Sequence, residues 1–117
     1  MPADRLTNYL RTHRKRTCLS QDDVAFLLGA KNSAGVCRRE RFQQAPNLPT
    51  LLAYEILFRT PVRALFGGLH RDVAQKLRKR VRLLIRRLTD EKPSRLVTRK
   101  LKFLTAILEE GVIADQA

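Results

Sequence analysis

The chain of 117 residues has no tryptophan, and all aromatic residues together make up only 6% of it. With so few rings to stack on bases, a platform for single-stranded nucleic acid is disfavoured. Only two cysteines occur, 19 positions apart and outside any CxxC, which together with the lack of a secretory signal indicates a reducing compartment. No apolar run is long enough to span a bilayer, so the expected setting is cytoplasmic, in a bacterium or phage. His13, Cys18, Cys37 and His70 are the only zinc candidates, and their spacing matches no finger. Neither a nucleophile with a paired base nor a phosphate-cradling glycine loop appears. No enzyme activity, metal or other cofactor is therefore expected. Internal repeats and low-complexity tracts are missing as well.

Acidic residues are scarce too: 11 against 24 lysines and arginines, a formal charge of +13 with pI near 11.1. Lys and Arg displace condensed counterions from nucleic acid, so this balance points to a polyanionic partner. It does not say which polyanion. The length allows one domain, or one small domain with an appended unit, and 44% hydrophobic residues suffice for a core.

The most informative stretch runs from Leu19 to Phe42. Ser20 is an N-cap candidate, Asp23 completes a capping box, and Leu19 and Val24 are spaced for a hydrophobic staple. A helix therefore starts at Gln21. Val24, Ala25, Leu27 and Leu28 give it a buried face, and Gly29 stands where a left-handed residue would end it. Lys31-Asn32-Ser33 offers capping side chains for a second helix, with Val36 and Glu40 on one face and Lys31, Ser33, Ala34 and Arg38 on the other. Two helices joined by a tight turn read as a helix-turn-helix.

This segment resembles the lambda-repressor-like (Cro/C1, XRE-type) DNA-binding domains, through Leu19, Ser20, Gln21, Val24, Ala25, Leu28, Gly29, Val36 and Glu40. The likeness continues through Pro46, Leu51, Leu52, Tyr54, Pro61, Val62, Leu65 and Phe66, and so covers roughly residues 5 to 68. It departs at the turn, which is one residue longer than usual, at Arg39 in an ordinarily apolar position, and at Phe42 in place of a glycine. The resemblance implies a five-helix domain whose third helix enters the major groove of double-stranded DNA. By that implication Ser33, Ala34 and Arg38 face base edges: Arg can form two bonds to guanine, and Ala can touch a thymine methyl. Gln21 would hold a phosphate, the other reading being a solvated polar residue. Lys31, Asn32, Arg39, Arg41, Gln43 and Gln44 are further phosphate candidates, with plain solvation the alternative for the arginines. The family often pairs an arginine at the position of Arg14 with the glutamate here numbered Glu40, so an ion pair is expected. Gly35 permits close approach to the second helix or to the DNA backbone.

Before this stretch, Leu6, Tyr9 and Leu10 are spaced for a first helix ending near Arg16. Its basic end, Arg14-Lys15-Arg16, suits either a helix C-terminus or phosphate contact. After it, Asn47 can cap a fourth helix with Pro49 in its first turn. Leu48, Leu51, Leu52, Tyr54, Ile56, Leu57 and Phe58 make that helix apolar all round, which predicts a central core helix. Thr60-Pro61 reads as the start of a short fifth helix, and Gly67-Gly68 as its end.

The remainder lies outside the resemblance. Val73, Leu77, Val81, Leu84 and Leu88 recur at helical spacing, and Val97, Leu101, Leu104 and Leu108 repeat it beyond a Lys92-Pro93-Ser94 break. An antiparallel helical hairpin follows, with Ser94 capping its second helix and Gly111 ending it. Phe103 and Ile107 widen the apolar face beyond what one partner helix covers, which points to dimerisation or to docking on the first domain. Arg78, Arg82 and Arg86 line another face, either solvated or set against flanking phosphates. Membrane binding is disfavoured because the apolar stripe has a mate in the next helix.

The sequence thus leads to an all-α protein: residues 1–68 a helix-turn-helix domain, residues 69–117 a basic hairpin for dimerisation or docking. The expected function is a sequence-specific DNA-binding transcriptional regulator, a homodimer on a palindromic site joined through Leu77, Val81, Leu84, Leu88, Leu101, Leu104 and Leu108. An antitoxin-like protein that binds a second protein through residues 69–117, or a general basic nucleoid or RNA binder, are the other readings.

Overall fold

The computed structural model describes the backbone of residues 7–116 and the side chains of residues 7–110. Seven helices and no strand form among the described residues: α1 (Leu10–Arg16), α2 (Gln21–Leu27), α3 (Ala34–Glu40), α4 (Leu48–Phe58), α5 (Val62–Leu65), α6 (Gly67–Thr89) and α7 (Arg95–Gln116). None of the helices among these residues is long and apolar enough to cross a membrane. The chain divides into two compact units, Met1–Arg71 and Asp72–Ala117.

Local chemistry sets the helix ends of the first unit. The Ser20 hydroxyl accepts from Asp23 N at 3.0 Å while the Asp23 carboxylate accepts from Ser20 N at 2.9 Å, a complete capping box at the start of α2. The Ser20 N–H donated to the carboxylate, with the Ser20 hydroxyl beside it, holds Asp23 below the usual carboxylate range. At the other end Gly29 takes φ +75°, its N–H donates to Phe26 O, and Ala30 N donates to Ala25 O. This paired closure is a Schellman motif, which favours glycine. α3 ends the same way, with Phe42 N donating to Arg39 O and Gln43 N to Arg38 O. Here the left-handed residue is Phe42, at φ +65°, which costs about 1 kcal/mol relative to glycine.

The remaining caps differ in part from the sequence expectation. Asn32 accepts from Ala34 N at 3.0 Å, and Ser33 makes no capping bond to α3. Asn47 caps α4 by accepting from Thr50 N. Thr60 does not cap α5: its hydroxyl donates to Phe58 O, and the Glu55 carboxylate reaches across to accept from Val62 N. Gly67 and Gly68 do not end a helix but open α6, because α5 has already closed at Phe66. Likewise α7 continues through Gly111 to Gln116. The first helix begins at Leu10, where the Asn8 side chain accepts from Leu10 N; Leu6 lies outside the described residues.

The core of the first unit is Leu10, Val24, Ala25, Val36, Tyr54, Phe58, Leu65 and Phe66, with Leu19, Leu28, Leu51, Leu57 and Leu69 packed around it. It joins α2 to α3, α1 to α3 and α4, and α4 to α5. α4 is not enclosed as its composition predicts. Tyr54 and Phe58 face inward, while Leu48, Leu52 and Ile56, four apart, form an outer stripe on which Ile56 is 77% exposed.

In the second unit Val81, Leu88 and Val97 are buried, and the Ser94 hydroxyl accepts from Val97 N at the start of α7. Two grooves lie between its helices. One, of about 370 Å³, is lined by Leu77, Val81, Leu83 and Leu84 of α6 with Leu104 and Ile107 of α7; the other has Leu84, Leu88, Phe103 and Leu104 on its walls.

Candidate nucleic-acid interface

The geometry around α3 is set from its inner face. Val36 is fully buried in the core, and Glu40 one turn later lies beneath the surface. Its carboxylate would be costly there without partners. It has three bonds: Arg14 Nε donates to Oε2 at 2.7 Å, Arg14 Nη2 to Oε1 at 3.1 Å, and Gln21 Nε2 to Oε1 at 3.1 Å. Arg14 Nη1 also donates to Leu19 O at 3.0 Å, so one guanidinium ties α1 to α3 and to the segment before α2. The bond to Glu40 raises the Arg14 pKa further above its ordinary value.

Arg39 is the residue whose placement departs most from the sequence reading. It was expected to meet a phosphate or plain solvent, yet it is only 9% exposed. Its Nε donates to the Tyr54 hydroxyl at 3.2 Å and its guanidinium carbon lies 5.5 Å from the centre of the Tyr54 ring. Asn8 Nδ2 donates to its carbonyl at 2.9 Å. The physical reason lies in Gly35: a Cβ there would come within 3.2 Å of Arg39 Nη1, so the missing side chain leaves room for the guanidinium to fold back along α3. The atoms that a Cβ at Gly35 would meet first all belong to the Arg39 guanidinium, so Gly35 admits this intrahelical contact. The Arg39 side chain thus carries its charge inward onto an aromatic face.

The outer face of α3 is open. Ala34 and Arg38, four residues apart, are exposed, and Ser33 is half-buried. Arg38 Nε donates to the Gln44 side-chain oxygen at 3.2 Å, which orients the guanidinium while leaving its outer N–H groups uncommitted. Lys31, Asn32, Arg41, Gln43 and Gln44 are exposed around this helix, as are Lys15 and Arg16 at the end of α1. Arg14 is half-buried and committed to Glu40, so it is a structural cation rather than a free one.

Gln21 takes part in two settings. One amide hydrogen goes to Glu40, which leaves the second uncommitted. A polar cleft of about 170 Å³ opens beside it, lined by Arg11, Arg14, Gln21, Glu40 and Arg41. Arg11 was not singled out from the sequence. The signal was present, since Arg11 stands one turn before Arg14 on the same helix face.

Neither the Cys18 nor the Cys37 thiol is in a disulfide, and His13 stacks on Phe58 with ring centres 5.8 Å apart. Of the residues expected to join two copies, Val81 and Leu88 are buried, Leu77 and Leu84 exposed, and Leu101, Leu104 and Leu108 half-buried. No protein-family model matches the chain, and neither curated proteins nor solved structures give a match.

Proposed function

We propose that this protein is a sequence-specific double-stranded DNA-binding regulator, with α1–α5 forming a lambda-repressor-like helix-turn-helix domain and α6–α7 an antiparallel hairpin. One observation carries the reading. α3 is clamped from within by the Arg14–Glu40–Gln21 bonds while Ala34 and Arg38 stand exposed on its other side. A reading helix needs that combination of rigid support and free outward side chains.

In this reading Arg38, steadied by Gln44, bonds a guanine edge, Ala34 touches a thymine methyl and Ser33 reaches either base. Phosphates flank them. The free amide hydrogen of Gln21, with Arg11 and Arg41 across the same cleft, supplies one phosphate site. Lys15, Arg16, Lys31, Asn32, Gln43 and Gln44 supply sequence-independent contacts, and Arg39 none.

The test is selection from a pool of randomised duplexes by the full chain at physiological salt. Enrichment of one short motif is the expected result, and paired half-sites about 34 Å apart would mark two copies on one duplex. Uniform retention of every duplex would instead make the protein a general polyanion binder.

A further inference from the structure

We propose that the second unit is a docking groove for an acidic amphipathic helix of another protein. The inference does not depend on the DNA reading of the first unit.

Two buried valines and one buried leucine hold α6 and α7, but much of their apolar surface has no cover. Leu77, Leu83, Leu84 and Phe103 are all exposed, with Phe103 at 68%. Leu84 and Leu104 line both grooves, and the larger groove is of a size for side chains of an incoming helix.

Charge selects the occupant. Among the described residues, every ionisable group lining the two grooves is basic: Arg80 and Arg87 on the larger, Lys100 on the smaller. The sequence around them agrees, with seven bases and no acid between Asp72 and Asp90, and five bases and no acid between Glu91 and Glu109. A second copy seated by two-fold symmetry would bring Arg80 and Arg87 against a like-charged rim. A nucleic acid would satisfy the rim and leave the leucine floor wet. A helix with leucines at i, i+3, i+4 and i+7 and carboxylates along both edges satisfies the floor and the rim together.

The experiment uses the full chain and a synthetic helix of that pattern, with glutamates flanking the leucines. Controls are a scrambled peptide of the same composition and a peptide with lysine in place of glutamate. The amphipathic acidic peptide should bind at least about tenfold tighter than the scrambled one, a step of one well-placed anchor. Phe103→Ala, at a position exposed enough to leave the fold intact, should weaken it, and Leu84→Asp should abolish it with helix content unchanged by circular dichroism. The double variant Arg80→Glu, Arg87→Glu should reverse the preference toward the lysine peptide. Equal binding of ordered and scrambled peptides, displaced by any duplex, would overturn the proposal in favour of a general polyanion face. A stable dimer that Leu84→Asp converts to monomers would overturn it in favour of a second copy.

Discussion

Arg14 donates to both carboxylate oxygens of Glu40, at 2.7 and 3.1 Å, with the two side chains only 12% and 4% exposed. The pair is buried enough that removing one partner strands the other charge. Glu40→Gln is expected to destabilise the protein by about 3 to 5 kcal/mol, while replacing both residues with apolar side chains should cost much less. Chemical denaturation of the single and double variants measures the difference. Equal losses would mean that the charges are solvated.

Tyr54 links α4 to α3 through its hydroxyl. Tyr54→Phe keeps the ring beneath the Arg39 guanidinium but leaves Arg39 Nε without its acceptor, an expected loss of about 1 to 3 kcal/mol. Burial raises the Tyr54 pKa above its ordinary 10.0, so the fold favours the protonated phenol. The advantage over Tyr54→Phe is therefore full below the unfolded pKa and is lost as pH rises through the raised folded value. Thermal unfolding of both proteins across alkaline pH checks the sign.

At the start of α2 the sign is opposite. The bonds from Ser20 lower the Asp23 pKa, so its contribution is present above the ordinary carboxylate value and disappears as pH falls through the lowered one. The melting temperatures of the wild type and Asp23→Ala should converge on acidification. A gap that stays constant with pH would assign the effect to helix propensity.

Two glycines separate backbone from contact effects. A Cβ at Gly29 or at Gly67 meets nothing within 4 Å, but Gly29 has φ +75° and Gly67 opens α6. Gly29→Ala should destabilise by about 1 kcal/mol, and Gly67→Ala should stabilise by about 0.5 kcal/mol. Equilibrium unfolding reads both.

Much of the first unit was legible because its signals are local. The Ser20–Asp23 box, Gly29 after an apolar turn and Asn47 before Pro49 each act within a few residues, so residue type and spacing suffice. The Arg14–Glu40 bond spans 26 residues and was accessible only through resemblance. What escaped depends on tertiary context. Arg39 turns inward because Gly35 leaves room and Tyr54 supplies a ring, which no pattern along the chain reveals. The outer stripe of α4 was hidden because an all-apolar helix does not declare which of its faces meets the core. Gly67 and Gly68 misled for a related reason: α5 closes before them, so they are free to begin the next helix.

The central claim is that the exposed side of α3 reads base sequence, and affinity of Arg38→Ala for a selected duplex and for an unrelated one tests it most directly. The expected result is a loss of about 1 to 3 kcal/mol on the selected site and little change on the other. An equal loss on both duplexes would contradict base reading and leave Arg38 as a phosphate contact.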